Sequence, residues 1–121
     1  MTRTLLCAAS ALLLQTGCST VDATMFDSTN PVHCMVIFGI AANSARQISQ
    51  PMVAKQMMRR FSVLADHHGG SAWLAKIDAE ALAVAKRMEA ANNRKATIQL
   101  LEECEAAQDA DPRMRAEIRQ R

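Results

Sequence analysis

NPVHCMVIFGIAANSARQ, Asn30 to Gln47, is the stretch whose reading decides how this chain is built. Asn is a strong helix N-cap and Pro is at home in the first helical position, so a helix is predicted to open at Pro31 and run to about Gln47. From Cys34 to Ala42 it is apolar all round, which marks the central, most buried helix of a helical protein. Nine apolar residues are too few to cross a bilayer, which takes roughly 20. Gly39 costs up to about 1 kcal/mol against alanine inside a helix and allows a neighbouring helix to approach closely.

Working outward, the same punctuation recurs. Ser49-Gln50-Pro51 reads as cap then proline, opening a second helix over 51–66. Val53, Met57, Phe61 and Leu64 form its apolar stripe at i, i+4, i+8 and i+11, with Lys55, Arg59 and Arg60 largely off it. His67-His68-Gly69-Gly70 closes it, histidine suiting the negative helix end and glycine the left-handed exit. Ser71 is expected to cap a third helix over 72–91, with Leu74, Ile77, Ala81, Val84, Ala85 and Met88 on one face. After Asn92-Asn93 a fourth helix is predicted from Arg94 to about Gln108, burying Thr97 or Ile98, Leu101, Cys104 and Ala107, and Pro112 stops it. The tail PRMRAEIRQR reads as a solvated, frayed end, with one short turn capped by Asp111 as the alternative. Its Arg113, Arg115, Arg119 and Arg121 allow a sharper reading as a contact for anionic lipid headgroups.

Composition agrees. The 121 residues suit one domain, 50% hydrophobic and 21% charged, with three Phe, one Trp and no Tyr. Such a chain, rich in Ala, Leu, Met and long charged side chains, favours helices over strands. The expected fold class is all-α, a small antiparallel bundle of three or four helices. Formal net charge is +2, and removal of residues 1–17 leaves 13 basic residues against 12 acidic. That balance gives no electrostatic footprint for nucleic acid.

The N-terminus carries an address. Arg3 and the terminal amine precede ten uncharged residues, Leu5 to Leu14, the length of a signal-peptide core. The following Leu14-Gln15-Thr16-Gly17-Cys18 resembles the lipobox of bacterial lipoproteins. Gly17 fits the small residue that family requires before the cysteine. Gln15 departs from it, the usual leucine being displaced to position 14. The resemblance implies lipidation of Cys18, cleavage before it and acylation of its new amine. With Ser19 rather than Asp next, it implies transfer to the outer membrane. The competing cleavage follows Val21-Asp22-Ala23 and leaves a soluble periplasmic or secreted protein. The expected organisation is signal peptide 1–17, tether 18–29, helical domain 30–110 and basic tail 111–121.

Four cysteines are present. Cys7 goes with the signal, and Cys18 is lipidated or removed. Cys34 and Cys104 therefore remain as the one pair in an oxidising compartment, and a Cys34–Cys104 disulfide is predicted to staple the first and last helices. The domain is similar to small exported α-helical proteins of Gram-negative bacteria in which an early and a late cysteine bridge terminal helices, as in VHCMVIFGIAA and LLEECEAAQDADP here. Periplasmic acid-stress chaperones are a distant architectural relative. No functional residue carries over.

Chemistry is sparse. His33, His67 and His68 lack the spacing of a metal site, and adjacent histidines on a helix point about 100° apart. Glu102, Glu103 and Glu105 splay around a helix rather than converge. There is no CxxC, GxSxG, P-loop or GxGxxG. The methionines read as core filling. The sequence therefore predicts no catalytic residue, cofactor or metal. It predicts a non-enzymatic interaction module of the cell envelope, a membrane attachment through the N-terminal lipid, an envelope protein partner and no nucleic acid. Its binding groove is expected near Met57, Met58 and Trp73. A stress or chaperone-like role is the alternative, with a metal carrier or enzyme behind it.

Overall fold

The computed structural model describes residues 26–120. Within them the protein is all-helical: α1 (Pro31–Gln47), α2 (Pro51–His67), α3 (Ser71–Lys76), α4 (Asp78–Ala91), α5 (Arg94–Ala110) and α6 (Pro112–Gln120). The signal segment and Cys18 lie outside the described residues.

α1 forms as its sequence dictates. The Asn30 side chain accepts the Val32 N–H at 2.9 Å, and Pro31 occupies the first turn. Every residue from Val32 to Phe38 is buried, and the helix packs against α2, α4 and α5. At Gly39 a Cβ would lie 3.7 Å from the Phe61 ring, an ordinary contact, so close approach alone does not demand the glycine.

α1 and α5 are joined by the Cys34–Cys104 disulfide, with Cα atoms 5.4 Å apart, inside the range such a bridge needs. It does not reach the last helix, because α6 follows. The tail is no frayed end: Asp111 Oδ1 accepts the N–H groups of Arg113 at 2.9 Å and Met114 at 3.4 Å, opening α6. Ile118 is then buried, Met114 packs on the core, and Arg59 donates to the Ile118 carbonyl at 3.2 Å. The apolar pair Met114 and Ile118, four residues apart, gives this short helix a face to bury.

Three further expectations are corrected. The helix expected over 72–91 is two, bent at Ile77 (φ −96°, ψ 6°), with Gly70 rather than Ser71 in the cap position. The backbone bonds continue across the bend, Ile77 N–H to Trp73 O at 3.0 Å and Ala81 N–H to Ile77 O at 2.8 Å. The bend sinks Ile77 into the core and opens α4 with Asp78 and Glu80 in its first turn, where the helix dipole favours acids. On α2, Arg60 is buried and Val53 exposed, the reverse of the expected stripe. On α5 the buried line is Ala96, Leu100, Cys104 and Gln108, and Ala107 is exposed. Gln108 and Arg60 explain both shifts, since they bury by pairing with each other.

The end of the expected tether is docked. Phe26 is buried in the core, and the Asp27 N–H donates to His33 Nδ1 at 2.9 Å.

Candidate functional site

α1, α4 and α5 enclose an open groove of about 1000 Å³. The α1 segment from Met35 to Ser44 is its floor. One wall is α4, from Asp78 to Glu89, and the other is the first half of α5, with Arg94, Thr97, Ile98 and Leu101. The Asn92-Asn93 turn sets the walls apart. Asn92 takes the left-handed conformation that closes α4, and Asn93 caps α5 by accepting the Ala96 N–H at 3.1 Å. Three large apolar side chains are left exposed in the groove: Ile40 from the floor, Leu82 and Ile98 from the walls. Leu82 keeps 57% of its surface in water. The rim carries Asp78 and Glu89 against Lys86 and Arg94, so no single sign prevails.

The groove lies elsewhere than the sequence suggested. Met57 is buried in the core, and Trp73 packs on His68 with ring centroids 4.9 Å apart. One signal for the position of this groove was present: Leu82 stands off the apolar face expected for its helix. Ile98, offered with Thr97 for the buried face of α5, is exposed instead, and Thr97 is half-buried.

The histidines are held by different partners. His33 accepts from Asp27, His67 Nε2 sits 2.7 Å from Glu117 Oε2, and His68 Nδ1 lies 3.2 Å from the Leu64 carbonyl. Burial lowers the pKa of His33, and the nearby positive charge of Arg87 lowers it further. Its neutral Nδ1 is therefore kept as an acceptor. Among the described residues no group of three or more His, Cys, Asp or Glu could hold a metal ion.

The strongest polar constellation joins α2 to α5. Arg60 donates through Nη1 to Gln108 Oε1 and Asp109 Oδ1, both at 3.0 Å, and through Nη2 to Asp109 Oδ2 at 3.3 Å. Gln108 Nε2 returns a bond to the Arg60 carbonyl at 2.9 Å. Glu105 lies 3.6 Å from Arg60 Nε, which is buried and has no hydrogen-bond partner. Burial raises the pKa of Glu105 more than Arg60 lowers it, with Asp109 and Glu102 adding to the rise. One buried cation between two carboxylates clamps the two helices together.

No helix of the described residues is long and apolar enough to cross a membrane. Comparison of the chain with protein-family models, curated proteins and solved structures finds no match.

Proposed function

We propose that this protein is a non-enzymatic interaction module of the bacterial cell envelope, seating one apolar face of a partner protein's helix in the α1–α4–α5 groove. The exported signal carries it there, and a lipid on Cys18 holds it, facing the periplasm and on the outer membrane by the Ser19 rule. The four longer helices, α1, α2, α4 and α5, are taken as an antiparallel bundle. The short connections Ile48–Gln50 and Asn92-Asn93 support that arrangement.

The observation that carries the reading is the groove with Ile40, Leu82 and Ile98 exposed inside it. Its floor, Met35 to Ser44, rises about 14 Å, the length of two to three helical turns. That suits a short helix presenting apolar residues at i, i+3 or i+4, and i+7. The mixed rim suits a protein helix flanked by both signs of charge, and supplies no field for a polyanion.

A photocrosslinking residue at Leu82 tests the reading. One envelope protein is expected to be captured at Leu82 and not at exposed Ala106. With that protein purified, Leu82→Lys is expected to weaken binding at least tenfold while helical signal and melting stay unchanged. Equal capture at both positions, or equal affinity of Leu82→Lys and the parent, would overturn it. The chaperone-like alternative draws on His33, whose neutral acceptor role fails on acidification. It requires loss of near-UV signal with helix retained at low pH.

A further inference from the structure

The turn between α1 and α2 carries a second surface of different chemistry. All eight residues from Arg46 to Val53 are exposed, and three of them are large and apolar. Ile48 is 66% and Met52 80% open to solvent, and Val53 stands beside them. These side chains are held outward by a pinned backbone. Gln50 N–H bonds to Ala45 O at 2.8 Å and Ser49 N–H to Arg46 O at 3.1 Å, closing α1 in a Schellman turn. Ser49 takes φ 59° to make it, a left-handed conformation usually left to glycine.

Along the two helices that meet at this tip, charge has one sign as far as Ala65. From Pro31 to Ala65 the chain holds Arg46, Lys55, Arg59 and Arg60 and no Asp or Glu, although it has 12 acidic residues in all. Arg46 and Lys55, one on each side of the turn, are both exposed. The groove rim, by contrast, mixes both signs. Exposed Ile, Met and Val flanked by Arg and Lys, with the nearest acid of either helix at Asp66 in the far turn of α2, is the chemistry that partitions into a bilayer interface. The apolar tips enter the headgroup–acyl boundary, and the long basic side chains keep their charged ends on the phosphates.

We propose that the α1–α2 turn is a membrane-docking tip that inserts Ile48, Met52 and Val53 into an anionic phospholipid surface, with Arg46 and Lys55 on the lipid phosphates. It is independent of the groove and of whether Cys18 is lipidated.

The test uses the full chain with Met52→Trp in a Trp73→Phe background, mixed with vesicles containing bromine-labelled acyl chains. One set is phosphatidylcholine alone, the other equal parts phosphatidylcholine and phosphatidylglycerol. The apolar segment Leu5–Leu14 associates with either vesicle, so quenching of the tip tryptophan reports local depth rather than association. Strong quenching is expected on the anionic vesicles. It should fall several-fold on neutral ones, and equally when Arg46→Glu and Lys55→Glu are introduced. Ile48→Trp in the same background is a second reporter, read alongside the helical signal should Met52→Trp fail to fold. No quenching of either reporter on anionic vesicles would overturn the proposal. So would quenching indifferent to lipid charge and to both reversals. A tip that captures a protein in preference to lipid would overturn it as well.

Discussion

Reduction of the Cys34–Cys104 bridge is the perturbation whose size follows most directly from the chain. The two cysteines are 70 residues apart, so the bridge closes most of the domain into one loop. Loop-closure entropy for that length is about 15 cal/mol/K, or about 4.4 kcal/mol at 25 °C, removed from the unfolded chain. A domain of this size is stable by ~5–15 kcal/mol, so the bridge is a large part of the margin. At roughly 4–8 °C per kcal/mol, the reduced protein should melt about 18–35 °C lower. Reduction is a cleaner perturbation than substitution. Cys34 and Cys104 are buried among apolar neighbours, and two thiols fill nearly the space of the bridge, whereas alanines would add a cavity.

The assay is urea unfolding followed by far-UV circular dichroism, with and without reductant, the redox state confirmed by intact mass. The oxidised form should show the higher midpoint. The reduced form should show a steeper dependence on urea, because its unfolded chain exposes more surface. If the two forms agree to within about 1 kcal/mol, the reasoning fails. The α1–α5 contact would then persist in the unfolded state or be secured by other interactions.

Four further outcomes are expected. Gly39→Ala should stabilise by roughly 0.5–1 kcal/mol, because the added Cβ meets Phe61 at 3.7 Å without a clash; a lower melting temperature would show that α1 and α2 cannot yield even that much. Glu105 has its folded pKa raised above its ordinary 4.5, so its carboxylate destabilises the fold at neutral pH, and the penalty disappears as pH falls below the unfolded value. Glu105→Gln should therefore be more stable than the parent in urea at neutral pH and equal to it below about pH 4. His33 shifts the other way for a base: its folded pKa lies below its ordinary 6.5, so the stability it confers is present above that value and is lost as pH falls toward the folded pKa. Protection of the Asp27 amide, whose N–H bonds to His33 Nδ1, should fall relative to its intrinsic exchange rate over that window and lose this pH dependence in His33→Gln. Ile118→Ala should cost about 2–4 kcal/mol by thermal melting if α6 is docked as seen, and under about 0.5 if the tail is solvated.

What the sequence made legible was whatever local punctuation or periodicity controls. Asn30-Pro31, Gly69-Gly70 and Asn92-Asn93 mark real helix ends, and the cysteine pairing followed from the two thiols that the proposed signal cleavage would leave. What it hid depends on partners distant in the chain. Arg60 looked like a surface residue because a guanidinium is costly to bury alone. Only Gln108 and Asp109, 48 and 49 residues away, make its burial possible. Those partners turn α5 so that Ala96, Leu100 and Gln108 face inward, leaving Ile98 for the groove. The bend at Ile77 had no glycine or proline to announce it. α6 is hidden for a related reason: of its nine residues three are arginine and one isoleucine is buried, and a single Met114–Ile118 pair is too short a periodicity to stand out.

The proposed tip and the proposed lipid on Cys18 are related through length. α1 rises about 25 Å from Pro31 to Gln47, with the docked Phe26 at one end and the Ile48–Val53 tip at the other. From Cys18 to Phe26 the chain has eight residue steps, which reach at most about 26–29 Å when extended. A lipid on Cys18 and a tip in the same bilayer are therefore compatible only just with α1 upright, and comfortably with α1 tilted toward the surface. With a lipid on Cys18 inserted, the tip would search a volume set by that short reach, and its effective concentration at the bilayer would be high. Weak insertion of three apolar side chains would then suffice to fix an orientation. A tether longer by ten residues would loosen that coupling without touching either surface. Tip quenching on anionic vesicles should then fall in the lipidated protein and stay unchanged in one that is not lipidated, which separates docking by the tip from docking by proximity.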